Sequence, residues 1–179
     1  MFMDLALAKR LEPTEGKIGA TFSAPRNAVT PVGACTRDFG GTIAVFDGAA
    51  SPLTQTFGLG LFQAADDALL DEIEAFFGER GAATSHEVSP LAGVETFARL
   101  VARRYQPIEL SSVLVQEIPD VPAPATSLRA RVIDPDVDGP TWIETCVAGW
   151  STDATHTAIM RELATVNVAN RAMTHYLVE

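Results

Sequence analysis

The sequence predicts a layered α/β protein. Three observations carry that expectation. Candidate strands and helices alternate from residue 43 onward, in the order strand, strand, helix, strand, helix, strand. Two stretches, 64–80 and 93–104, repeat apolar residues at helical spacing. A dense run of prolines, Pro119, Pro122 and Pro124, then interrupts the chain and starts a second, smaller set of elements.

Taken in order, residues 4–24 read as a weak helix interrupted by Pro13 and Gly16. Residues 43–46 (Ile-Ala-Val-Phe) and 52–59 read as strands. In 64–80, Ala65, Leu69, Ile73, Phe76 and Phe77 share one face, Asp66 and Asp67 suit the positive end of the helix dipole, and Gly81 supplies a stop. A strand is expected at 84–89. In 93–104 the stripe is Val94, Phe97, Ala98, Val101 and Tyr105, closed by Pro107. Residues 108–118 alternate as a largely buried strand, with Ile108, Leu110, Leu114 and Ile118 on one parity.

Residues 119–127 form a Pro-rich linker, so the chain divides into 1–118 and 128–179. The second unit opens on a half-buried strand, Leu128, Ala130 and Val132 alternating with Arg129 and Arg131. A loop at 134–140 leads to a short helix near 140–150 and a longer one near 155–173, with Ile159, Leu163, Val166, Asn170 and Met173 on one face. Residues 174–179 read as a final strand. Trp142 and Trp150, eight apart, point to core packing on one helix face. Asn167 and Asn170 lie within the apolar stripe, as a polar seam between helices or a face toward a partner would.

Charge and cysteine usage exclude several classes. Thirteen basic against 23 acidic residues give a net charge of −10. The densest basic cluster, Arg99, Arg103 and Arg104, lies among apolar residues, so nucleic-acid binding is not expected. Cys35 and Cys146 are too few for a disulfide framework, and His86, His156 and His175 are too scattered for a metal site. The start, Met1 to Arg10, lacks signal-peptide order, and no apolar run reaches membrane-spanning length. The expectation is an intracellular, cytoplasmic protein without a membrane partner. Asp134-x-Asp136-x-Asp138-Gly139 matches the opening of a calcium loop, but Thr145 stands where the closing Glu belongs and a strand precedes the loop. An acidic strand-to-helix loop with Asp138 near the cap is the simpler expectation.

The segment with chemical promise is Gln55-Thr56-Phe57-Gly58-Leu59-Gly60, running through Leu61 toward the helix of 64–80. Glycines between a strand and a helix N-terminus let a pyrophosphate approach backbone amides. The same glycines also suit a tight turn with no ligand.

Gln55-x-x-Gly58-x-Gly60 resembles the acetyl-CoA signature of the GCN5-related N-acetyltransferases (GNAT). The following helix, strand, helix and strand are similar to that family's order, and Arg104-Tyr105 occupies its Gly-Phe position. Residues 128–133 resemble the family's first strand and 140–173 its first two helices, which would make a tandem protein with an incomplete second domain. The resemblance implies a mixed central sheet flanked by helices on both faces. It implies acetyl-CoA held by Gln55, Thr56, Phe57, Gly58, Leu59, Gly60 and Leu61, and acetyl transfer to a primary amine. The family's helix Tyr and Asn fall at Leu100 and Gly93, which supply neither proton nor hydrogen bond. His86 and Glu87 are possible general bases, or a charged pair on a strand. The alternative is a non-catalytic or truncated module that binds CoA or a partner. An open sheet edge in the second unit implies self-association or docking of the two units.

Overall fold

The computed structural model describes residues 3–117, 120 and 126–179; the end of the expected 108–118 strand and most of the expected 119–127 linker lie outside them. The chain forms two compact units. One comprises Met1–Ser23 with Val32–Pro119, the other Ala24–Pro31 with Asp120–Glu179. The class is mixed α/β.

Helix α1 (Leu5–Val29) is longer than expected and continues through Pro13 and Pro25. Its glycines explain its place in the first unit. A Cβ on Gly16 would lie 2.8 Å from Ile43 Cβ, and one on Gly19 2.9 Å from Val45 Cγ2, so the helix backbone rests directly on a strand. That strand is β2 (Thr42–Phe46), paired antiparallel with β1 (Cys35–Phe39) and β3 (Gln55–Phe57) in the order β1-β2-β3. Register runs Phe39↔Thr42 and Ile43↔Phe57. Gly40 and Gly41, both at positive φ, make the two-residue β1–β2 turn that a right-twisted hairpin requires.

Every residue of β2 is buried. Ile43 and Val45 pack with Phe57 on the α1 side. Ala44 and Phe46 join Phe39, Leu59, Leu70, Ile73, Phe76, Phe77 and Leu100 on the other. Leu70, Ile73, Phe76 and Phe77 come from α2 (Asp67–Gly78) and Leu100 from α3 (Val94–Ala102). Asp66 caps α2 by accepting from the Leu69 N–H at 2.9 Å. Arg103, just beyond α3, binds Asp67 at 3.0 Å, Asp71 at 2.7 Å and Glu74 at 3.1 Å, and Arg99 reaches Asp67 at 3.4 Å. The basic cluster thus faces the acidic side of α2.

Three expectations are corrected here, and one element is new. Residues 108–117 form no strand, and Ile108, Leu110 and Leu114 are 90%, 96% and 91% exposed, because no strand among the described residues pairs with them. The strand at 84–89 reduces to one parallel bridge, Thr56↔His86, since Ser89 caps a single 3₁₀ turn, Pro90–Ala92. Helix α3 buries Thr96 and Leu100, and the apolar stripe Val94, Phe97, Ala98 and Val101 points outward. Strand β1 was not expected.

The second unit contains β4 (Ala130–Val132), α4 (Pro135–Trp150), α5 (Ala154–Ala169) and β5 (Tyr176–Val178). The strands pair antiparallel, Ala130↔Val178 and Val132↔Tyr176. The expected loop 134–140 is the first part of α4, because Asp134 caps it and Pro135 occupies the first turn, where no donor is needed. Asp138 binds Arg131 and Asp136 binds Arg171. The α5 helix stops at Ala169, four residues before Met173, with Asn170 as its cap. Trp142 donates to the Tyr176 carbonyl at 3.2 Å and meets the His175 ring edge-on, whereas Trp150 is exposed instead of packed in the core. Cys35 and Cys146 are free thiols. No helix among the described residues is long and apolar enough to cross a membrane.

Candidate functional site

The glycine turn is built from β3 outward. Gln55 pairs with Val45 and Phe57 with Ile43, which fixes the turn's entry. Thr56 is fully buried; its N–H donates to the Ser85 carbonyl at 3.0 Å, and its carbonyl accepts from the Glu87 N–H at 2.9 Å. The Thr56 hydroxyl and His86 Nδ1 lie 2.7 Å apart. Leu59 and Leu61 point into apolar clusters.

Gly58 and Gly60 both sit at positive φ, +81° and +76°. Each is also crowded. A Cβ on Gly58 would lie 2.8 Å from the Gly41 carbonyl oxygen, and one on Gly60 2.5 Å from Thr96 Oγ1 and 3.0 Å from Ala92 Cβ. The glycines therefore let three protein segments meet. The turn does not open onto α2 directly: Phe62 to Asp66 intervene, and the helix N-terminus already holds the Asp66 carboxylate.

Carboxylates dominate the electrostatics. Glu12 accepts from the Gly58 N–H at 3.3 Å. Burial pushes the Glu12 carboxyl above its ordinary value, while the Gly58 amide and the Ser89 hydroxyl pull the other way. Glu87 is pushed up to about 6, first by burial and then by the charges of Glu15 and Glu12, with Glu109 adding to them. Burial lowers His86 to about 4, so its imidazole is neutral at neutral pH. Its Nε2 is buried without a hydrogen-bond partner among the described residues, and its ring lies 5.0 Å from that of Tyr105. The Tyr105 hydroxyl donates to Glu74 at 3.0 Å; burial and that carboxylate push it up to about 12.

A pyrophosphate does not fit this turn as folded. Gly58 offers its amide to an internal carboxylate, the space beside both glycines is filled by protein, and three glutamates face the region. The same surroundings suit a cation. Leu100, at the position of the family's proton-donating Tyr, is a core residue. Gly93, at the Asn position, is the positive-φ residue that starts α3. Sequence reasoning found His86 and Glu87 and missed Glu12, whose only signal is a carboxylate on a weak helix distant in sequence. Among the described residues, no group of three or more His, Cys, Asp or Glu could hold a metal ion.

Compared with protein-family models, with curated proteins and with solved structures, the chain gives no match.

Proposed function

We propose that this chain is a GNAT-like protein whose reaction class is acetyl transfer from acetyl-CoA to a primary amine. One observation supports the reading most: β4, α4, α5 and β5 follow in the order strand, helix, helix, strand, with the two strands antiparallel neighbours, as the family's opening elements do. The carboxylates Glu12, Glu15 and Glu87 of the first unit add support for a cationic acceptor, because they repel anions and attract ammonium groups. Under this reading the Gln55–Leu61 turn is structural.

A second reading is favoured by the same turn. With Gly58 tied to Glu12 and Leu100 in the core, the first unit is a GNAT-fold binding module without acetyl-transfer chemistry of its own.

A thermal shift with acetyl-CoA and a thiol-release assay over a panel of primary amines separate the readings. A ligand at about 100 times its dissociation constant stabilises by about 2.7 kcal/mol. Stabilisation with amine-dependent thiol release supports the enzyme. Stabilisation without release supports the module, and no stabilisation at millimolar acetyl-CoA sinks both uses of the cofactor.

A further inference from the structure

His175, the residue before β5, is 6% exposed, yet neither of its ring nitrogens makes a well-formed hydrogen bond among the described residues. Native folds rarely keep a buried polar side chain in that state. The ring is held by its surroundings. Trp142 of α4 meets it edge-on, with centroids 4.9 Å apart. The backbone on both sides is tied down. The His175 carbonyl accepts from the Ile133 N–H at 3.0 Å, and the Tyr176 carbonyl accepts from the Trp142 indole N–H at 3.2 Å. One short segment thus joins the end of β4, the α4 helix and the start of β5.

A charged imidazolium does not suit this place. Burial opposes the charge most. The Asn167 backbone carbonyl of α5 favours it, and the positive charge of Arg171 opposes it again, so the net shift is downward from the ordinary 6.5. Among the described residues, the carboxylates of the surrounding elements are committed to other groups. In α4, Asp136 binds Arg171, Asp138 binds Arg131 of β4, and Glu144 binds Arg161 of α5. In α5, Glu162 binds Arg26, and in β5, Glu179 binds Arg131. Asp134 and Asp153 accept from backbone amides as helix caps. A proton on His175 therefore meets Arg171 without a counter-ion.

We propose that His175 is a proton-sensitive latch of the second unit: its neutral ring holds β5 against α4 and the end of β4, and taking up a proton drives the ring out and releases β5. The open state binds the proton more tightly than the closed one. Opening therefore increases as pH falls below 6.5, by up to about tenfold per pH unit, until the closed state itself is protonated. The ion pairs outlast this change, because Arg131 and Arg161 hold the Asp138 and Glu144 carboxyls below their ordinary values. The latch rests on the packing of the second unit and not on the activity proposed above.

Trp142 reports on the latch directly. Trp150→Phe, at an exposed position, leaves it as the one tryptophan of the full chain. Acrylamide quenching is measured from about pH 8 to about pH 5, the range in which an unburied histidine titrates. The expected quenching constant rises about twofold or more below pH 6.5 and stays level when His175→Phe is added. Acrylamide reads solvent access, so quenching of the indole by a nearby imidazolium does not imitate the rise. His175→Leu repeats the test with a smaller side chain, and circular dichroism at pH 8 shows that each variant folds. A constant that stays level with His175 present overturns the proposal. So does a rise that both substitutions leave intact, since that assigns the opening to another group, such as His156 at the start of α5. Amide exchange at Tyr176–Val178 separates release of the strand from motion of the ring alone. The ratio of its rates with His175 and with His175→Phe, taken at the same pH, is expected to grow as pH falls; a constant ratio overturns the release of β5.

Discussion

Glu87 lies beside β3 on the bridging segment, where burial and the charges of Glu15 and Glu12 raise its carboxyl from 4.5 to about 6. Its folded value lies above its unfolded one. Between pH 4.5 and 6 the native state therefore holds more protons, and stability falls as pH rises through that window. His86 acts in the opposite sense: its imidazole falls from 6.5 to about 4, so stability falls as pH drops through that interval. The wild-type profile mixes the two, and a variant separates them. Glu87→Gln is expected to stabilise by up to about 1 kcal/mol at pH 7–8, a value reduced for partial exposure, with the gain vanishing below about pH 4.5. Urea midpoints at both pH values measure this. A gap independent of pH assigns the effect to packing. Arg104 is the other unusual residue. It closes α3 at φ +67°, while the Tyr105 N–H donates to the Leu100 carbonyl and the Arg104 N–H to that of Val101, both at 2.9 Å. A glycine adopts this conformation without the Cβ clash, so Arg104→Gly is expected to stabilise by about 1 kcal/mol. A lower melting temperature for that variant shows that the arginine side chain outweighs the backbone strain.

At the scale of elements, legibility followed local signals. Helix α2 was visible because its apolar period, its capping Asp66 and its stop at Gly81 agree. Helix α3 was visible as a helix, but its orientation was not. Apolar spacing identifies a face without showing which way it points, and the buried positions Thr96 and Leu100 are too few to compete with the stripe. Strand β1 is mostly exposed, so Cys35 to Phe39 lacks an apolar run; its one sequence signal is Gly40-Gly41. The 108–118 pattern had the alternation of a strand, yet a strand also needs a neighbour, which alternation does not supply. Pro13 and Gly16 make α1 look weak in the sequence, and Gly16, with Gly19, is its contact with β2. Gly16→Ala tests this. Helix propensity alone would gain about 1 kcal/mol. The added carbon would lie 2.8 Å from Ile43 Cβ, and such overpacking costs about 1–3 kcal/mol, so a net loss is expected. Gly78→Ala in α2, with nothing within 4 Å, should instead gain about 0.5–1 kcal/mol. If both substitutions stabilise, α1 does not press on β2.

At the scale of the whole molecule, the proline run predicted a division but hid a long-range piece of it. Residues Ala24–Pro31, at the end of α1, belong with the second unit. Arg26 is the reason in chemical terms: it is buried, and its Nη1 binds Glu162 Oε1 of α5 at 2.6 Å. A buried guanidinium is costly without a carboxylate, and no local pattern near residue 26 announces a partner 136 positions away. Glu162→Ala is expected to destabilise the second unit by about 1–3 kcal/mol, since it removes a charge-assisted bond to a buried group. The readout is specific. Both tryptophans, Trp142 and Trp150, lie in α4, so tryptophan fluorescence in urea follows the second unit alone. The fluorescence midpoint should fall in Glu162→Ala and fall less in Glu162→Gln, which keeps a hydrogen-bond acceptor. An unchanged fluorescence midpoint would mean that the end of α1 is not part of the second unit's stability. The division would then lie at the proline run, where the sequence placed it.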